Sequence, residues 1–352
     1  MPRLRRVDCS GPGLARRRRG RGFEYLDENG TRLGDPETLQ RIHELAIPPA
    51  WRDVWICADP LGHLQATGID AAGRKQYLYH PRWRERRDQQ KFDEMIAFAR
   101  VLPRMRAVVD EHLDSDELNR ERVLAAAVRL LDRGFFRIGG EGYAESNGSY
   151  GLATIRRDHV HIESDGRIIF DYPAKSGQRR VQSVVDADVL PVIKQLKRRR
   201  GSSPELLAYR DDGRWRDVRS ADINEYLREI TGHDCSAKDF RTWNATVLAA
   251  LALAAAAPAA SASKTARNRA MTRASKEVAH YLGNTPAVCR ASYIDPRVFD
   301  RYRSGWTIAG VFPQLGDLFD ADVRALVEEA VLDLLEDRRD ADAVVRGLPE
   351  AA

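Results

Sequence analysis

The hydrophobic period of this chain changes along its length, and the change limits it to strands and helices built in separate units. Residues 63–70 and 74–79 alternate at two around Ala71-Ala72-Gly73. In the second stretch Lys75, Tyr77 and Tyr79 share a face. Residues 91–100 turn helical, with Phe92, Met95, Ile96 and Ala99 at i, i+3, i+4 and i+7, and Pro103 breaks the pattern. Beyond Arg104 the helical period dominates, as in the stripe Val123, Leu124, Ala127, Val128 and Leu131 that ends near Gly134. One small sheet interrupts it. Residues 159–164 and 167–174 flank the hairpin dipeptide Asp165-Gly166, and Ser176-Gly177 turns the chain into 178–185. Asn29-Gly30 marks another hairpin. The expected class is α+β: a small N-terminal β-sheet domain with helices, and a larger, mainly α-helical domain holding a three-stranded antiparallel sheet. The expected divisions are a basic disordered tail (1–22), an N-terminal α+β domain (23–103), a larger helical domain (104–310) and an acidic helical tail (311–352).

Charge is unevenly spread. Of the net +5, residues 311–352 carry −7, because eleven acids there face four bases, so residues 1–310 carry +12. A basic body points to a polyanionic partner, although a merely soluble basic protein has the same balance. Arg16 to Arg19, among glycines and prolines, read as a solvated tail that adds salt-sensitive phosphate affinity. The four cysteines are scattered and form no C-x-x-C or Cys/His cluster, so neither a metal site nor a disulfide framework is expected. The arginine-rich start has no apolar core behind it, so no signal peptide is expected. The apolar run at 247–257 is mostly alanine and shorter than the roughly 20 residues a bilayer needs. A soluble cytoplasmic protein is expected.

Several residues could carry chemistry. Gly283 after Val278, Tyr281 and Leu282 suits a helix C-terminus, and Thr285-Pro286 suits the start of the next helix. Asp295-Pro296 repeats that signal, which places Tyr293 at the end of a short helix. Taken alone, Tyr293 reads as a helix–helix contact. Arg137, after the stripe helix, and Arg241, before the alanine-rich helix, could equally cap helix ends or pair with acids such as Asp239. Two guanidinium forks also suit the non-bridging oxygens of a phosphodiester. Lys175, at a hairpin tip, could protonate a leaving oxygen.

Taken in order, the segments I-P-P-A-W-R-D-V-W-I (47–56), G-R-K-Q-Y-L-Y-H (73–80), R-I-G-G-E-G-Y (137–143), G-L-A-T-I (151–155), A-K-S-G (174–177), K-D-F-R-T-W (238–243) and the stretch around Tyr293 resemble type IB DNA topoisomerases, in particular the poxvirus-like enzymes and their bacterial relatives. The resemblance implies relaxation of supercoiled double-stranded DNA through a 3′-phosphotyrosyl intermediate, strand rotation and religation, with no cofactor, ATP or metal. Tyr293 would attack phosphorus, Arg137 and Arg241 would stabilise the transition state, and Lys175, assisted by Arg137, would protonate the leaving 5′ oxygen. Asn284 stands where poxviral and eukaryotic members carry histidine and several bacterial ones asparagine. It is a neutral donor and so a weaker one, and Asn284→His is expected to alter the cleavage rate while activity survives. Gly140 stands where poxviral members have a lysine that helps read their preferred pentanucleotide, a departure that bears on sequence preference; Tyr143 is kept. Arg74, Gln76, Tyr77 and Tyr79 are the implied DNA contacts, although alternation turns Gln76 away from the tyrosines. The expected partner is double-stranded DNA, with no membrane and with the protein as a monomer. Tyrosine recombinases use a similar set but typically carry histidine where this chain has Lys238. A catalytically inactive duplex-binding protein is the other alternative.

Overall fold

The computed structural model describes residues 2–201, 203–260, 263–314 and 321–346. The chain divides into two compact units, 1–92 and 93–352.

In the first unit β1 (Leu14–Arg19), β2 (Gly22–Leu26), β3 (Arg52–Ile56), β4 (Leu64–Ile69) and β5 (Lys75–Tyr79) form an antiparallel sheet in the order β2-β1-β3-β4-β5. Helix α1 (Pro36–Glu44) begins on Asp35, whose carboxylate accepts the Thr38 N–H at 2.9 Å. Leu14, Ile42, Ile47, Val54, Ile56 and Ala66 make the core, with Trp51 and Leu78 packed on it.

This arrangement corrects the expected disordered tail. The arginine run is strand β1, paired with β2 and β3. Leu14 is buried, and two residues on Arg16 donates to the carbonyls of Ile47, Pro48 and Trp51 at 3.1, 3.0 and 2.8 Å. Arg17 pairs with Glu24 across the hairpin at 2.7 Å. A strand's alternation is hidden under a composition that resembles a solvated segment.

Helix α2 (Pro81–Leu113) does not stop at Pro103. The ring sits on the exposed side, while Leu102, Met105 and Val109 are buried and keep the helix seated, so the division falls after Phe92 and not at Pro103.

The second unit continues with α3 (Arg120–Gly134) and α4 (Glu141–Asn147), then the sheet β6 (Val160–Ile162), β7 (Ile168–Pro173) and β8 (Arg179–Val184), in that order and antiparallel. After α5 (Val189–Arg198) come the hairpin β9 (Ala208–Asp211) and β10 (Arg214–Asp217), then α6 (Ser220–Thr231), α7 (Ala237–Ala260), α8 (Lys264–Leu282), α9 (Pro286–Ser292) and α10 (Pro296–Arg303). Strand β11 (Trp306–Thr307), helix α11 (Ala321–Leu335) and strand β12 (Val345–Arg346) close the unit, with β12 paired to β11. The parts of the acidic tail at 315–320 and 347–352 lie outside the described residues.

Helix α3 is buried along almost its whole length, against α5, α6, α7 and β8. Helix α7 is longer than the alanine run suggests. It has the length and composition to cross a membrane, but its apolar window is 67% buried inside the protein, with Phe240, Trp243, Ala249 and Leu253 in the core. Helix α7 runs on to Ala260 and α8 starts at Lys264; residues 261–262 lie outside the described residues.

Candidate active site

The ends of three helices converge. Helix α8 finishes on Gly283 at φ 61°, with the Gly283 N–H on His280 O at 3.3 Å and the Asn284 N–H on Ala279 O at 3.1 Å, a Schellman turn. Thr285 then caps α9, with Pro286 as its first residue, and Tyr293 is the residue that ends it. The turn after Tyr293 is fixed by Ile294 and Asp295, both fully buried, and by the Asp295 N–H on Thr246 Oγ1 at 3.1 Å. Tyr293 itself is half-buried.

Arg241 lies early in α7 and is 4% exposed. It donates to Phe135 O at 2.6 Å and to Leu282 O at 2.9 Å, and its guanidinium carbon lies 5.3 Å from the centre of the Tyr293 ring. Asp239 is engaged elsewhere, accepting from Ser236 N at 2.8 Å and Ser236 Oγ at 3.1 Å at the start of α7. Burial, and next the neighbouring Arg137, push the Arg241 pKa down to about 10, against a smaller opposing pull from Tyr293. Its Nε is buried and has no partner among the described residues.

Arg137 follows α3 after Phe135, which takes a left-handed conformation, and Phe136, which packs edge-on against Phe170. It donates to Gly283 O at 2.7 Å and to Asn284 Oδ1. That bond settles the amide's orientation, because only the oxygen of Asn284 can accept from a guanidinium. Nδ2 therefore faces the other way, and it too is buried with no partner among the described residues. Beside it the Cys289 thiol is pushed up by burial, against smaller pulls from Arg241, Asn284 and Arg137. The backbone at Arg137 is clamped by Leu152 N on Arg137 O and Ala153 N on Ile138 O, both at 2.8 Å. Gly139 and Gly151 cross so closely that a Cβ on Gly151 would sit 2.4 Å from Gly139 N.

Tyr293, Arg137, Arg241 and Asn284 are thus brought together from three parts of the chain. Lys175 is exposed at the tip between β7 and β8, where Ser176 and Gly177 both have positive φ, and among the described residues nothing bonds its ammonium. Arg180 is a member of this neighbourhood that the sequence motifs do not include. It lies on β8 beside the same helix end, donating to His280 O at 3.0 Å and to Tyr281 O. The one signal for it is a charged residue at an inward strand position. Arg137, Arg180 and Arg241 line one small cavity with Tyr150 and Tyr172, and among the described residues no carboxylate lines it. Burial pushes the Tyr172 phenol up to about 12, so it stays protonated and donates to Gln182.

The implied DNA contacts lie apart from this cluster in sequence. In the first unit Tyr77 and Tyr79 stack at 6.2 Å on the exposed face of β5, 45% and 39% exposed. Gln76 faces the other way, half-buried, and its amide donates to Asp70 at 2.9 Å; Arg74 pairs with the same carboxylate. In the second unit Tyr143 is 58% exposed on α4. Among the described residues no group of three or more His, Cys, Asp or Glu could hold a metal ion.

Residues 80–305 match the family model for the catalytic core of eukaryotic DNA topoisomerase I, and residues 22–70 match that for the N-terminal domain of bacterial DNA topoisomerase IB. A DNA topoisomerase 1B of Acanthamoeba polyphaga mimivirus is 29% identical over 300 residues, which cover 83% of this chain and 88% of that protein. A DNA topoisomerase 1 of Candidozyma auris is 27% identical over 161 residues, 45% of this chain and 20% of that protein. The DNA topoisomerase 1B of Vaccinia virus (strain Copenhagen) is 22% identical over 139 residues, 38% of this chain and 44% of that protein. Because the catalytic-core match alone spans more than half of the sequence and takes in Arg137, Lys175, Arg241, Asn284 and Tyr293, this chain belongs to the type IB DNA topoisomerase family.

Proposed function

We propose that this protein, acting as a monomer on the cytoplasmic nucleoid, relaxes supercoiled duplex DNA by cutting and resealing one strand through Tyr293. The observation that carries the reading is the pair of buried donors, Arg241 Nε and Asn284 Nδ2, that no described residue bonds, beside a tyrosine in an arginine cluster whose small cavity has no carboxylate lining among the described residues. Buried donors are almost always satisfied. Leaving two open next to a nucleophile pre-organises a site for an oxyanion that arrives with the substrate.

In this reading Tyr293 Oη attacks a backbone phosphorus and its proton passes to solvent. The Oη–P bond forms and the P–O5′ bond breaks, leaving a 3′-phosphotyrosyl ester. Lys175 gives its proton to O5′, which leaves as a hydroxyl. Arg241, Arg137 and Asn284 hold the non-bridging oxygens, where negative charge builds. The cut strand swivels, and the 5′ hydroxyl attacks the ester to reverse each step. One ester replaces another, so the energy for resealing is retained and ATP is not needed.

The test is supercoiled plasmid in EDTA without ATP. A ladder of relaxed topoisomers is expected, with protein attached only to 3′ ends on denaturing gels. No relaxation by a folded sample overturns the reading; recombinant products from paired sites would favour a tyrosine recombinase, and duplex binding without covalent attachment an inactive binding protein. Asn284→Ala removes one open donor and is expected to slow single-turnover cleavage about 10²-fold. Duplex affinity, which sums many phosphate contacts, should change little.

A further inference from the structure

Strand β8 turns two polar side chains inward. Its exposed residues are Arg179, Val181 and Ser183, so Arg180 and Gln182 share the opposite face with buried Val184. Gln182 is bonded to Gly134 O at the end of α3, just before Arg137, and accepts from Tyr172 Oη at 2.8 Å. Arg180 is bonded to His280 O and Tyr281 O at the end of α8, just before Asn284. Three guanidinium groups therefore share the last carbonyls of α8: Arg180 takes His280 and Tyr281, Arg241 takes Leu282, and Arg137 takes Gly283.

Only Arg180 among the three belongs to the hairpin that carries Lys175, five residues earlier in the chain. The tip itself has left-handed residues at Ser176 and Gly177 and an exposed ammonium that no described residue bonds, so the tip does not fix where Lys175 reaches. We propose that Arg180 is a positioning residue, which ties the Lys175 hairpin to the segment bearing Asn284 and Tyr293 and so sets the ammonium against the leaving 5′ oxygen. The proposal rests on the reading of Lys175 as the proton donor.

The test compares single-turnover cleavage of two duplexes that differ in one bridging atom, O5′ or S5′. A thiolate leaves without a proton, because a thiol is far more acidic (pKa about 8.5) than an alcohol. On the oxygen duplex Lys175→Ala should lose about 10²- to 10⁴-fold. Arg180→Ala, which leaves the donor present but misplaced, should lose about 10- to 100-fold, and Arg180→Lys should recover part of that. On the sulfur duplex all three should return to near the wild-type rate. An undiminished rate for Arg180→Ala with oxygen, or the same deficit on both duplexes, overturns the proposal. If sulfur restores Lys175→Ala but not Arg180→Ala, only the role of Arg180 falls. If sulfur fails to restore Lys175→Ala, the proton-donor reading falls and takes the proposal with it. Thermal melting and duplex affinity of each variant verify the fold; should Arg180→Ala not fold, Arg180→Lys carries the same comparison.

Discussion

Tyr293→Phe is expected to abolish both the covalent complex and plasmid relaxation, a loss of about 10⁶-fold or more, as for removal of other enzymatic nucleophiles. Melting temperature and duplex affinity should stay near wild type. The separation follows from how the residue is held. Its position is set by the backbone: Tyr293 N on Cys289 O at 2.9 Å, Ile294 N on the same carbonyl at 3.0 Å, and the buried pair Ile294 and Asp295 behind it. The ring lies over the Arg241 guanidinium, and phenylalanine keeps that face. Only the hydroxyl is lost, and in the proposed mechanism its task is the new bond to phosphorus. Residual relaxation by the variant would mean that another group attacks, and a large fall in melting temperature would mean that the hydroxyl helps to hold the fold.

The local punctuation of this site is legible in the amino-acid order alone. Gly283, Thr285-Pro286 and Asp295-Pro296 are short-range signals, and each does what its chemistry requires: a left-handed helix end, a side-chain cap, and a proline where no N–H is needed. Strands β6 to β8 are legible for the same reason, since Asp165-Gly166 and Ser176-Gly177 state their turns. What the order of residues hides depends on distant partners. Arg16 and its neighbours look like a solvated tail until the carbonyls of Ile47, Pro48 and Trp51 are there to receive the guanidinium. Pro103 should stop a helix, but tertiary burial of Leu102, Met105 and Val109 outweighs one lost hydrogen bond. Arg241 could have paired with Asp239 two residues away; that Ser236 takes the carboxylate, leaving the arginine to Phe135 and Leu282, is a fact of three dimensions. Arg180 is hidden for a related reason: no turn or cap marks it, and its partners lie about a hundred residues away on α8.

Deleting residues 321–352 is expected to abolish cooperative folding, not to tighten DNA binding. Four acids of this segment are engaged within the protein: Glu328 with Arg106 at 2.7 Å, Asp333 with Arg338 at 2.7 Å, Asp337 with Arg301 at 3.3 Å, and Glu336 with Arg100. Helix α11 buries Val327, Ala330, Val331, Leu334 and Leu335. Each large apolar side chain returned to water costs about 1.5–3 kcal/mol, against a net stability on the order of 5–15 kcal/mol for a whole domain. A milder variant isolates the polar part. Arg324 from α11 and Arg106 from α2 both bind the buried Asp132 in the last turn of α3, at 2.7 and 2.9 Å. Asn244, three residues beyond Arg241, donates to the Asp132 carbonyl at 2.9 Å. Arg324→Ala leaves that carboxylate short of a partner and is expected to cost about 3–5 kcal/mol. Cleavage should slow as well, because the same turn leads into Phe135 and Arg137. The pH dependence gives the sign. Burial alone would push the Asp132 carboxyl up, but Arg324 and Arg106 outweigh it and bring it to about 2. A depressed carboxylate contributes its stability above the unfolded value of about 3.9, and that stability is lost as pH falls towards 2. The gap in melting temperature between wild type and Arg324→Ala should therefore be full at pH 6 and shrink as pH falls from about 4 towards 2. A gap that holds constant across that range would show that Arg324 acts by packing alone. A truncated chain that folds and binds duplex more tightly would show that the acidic segment competes with DNA for the basic body.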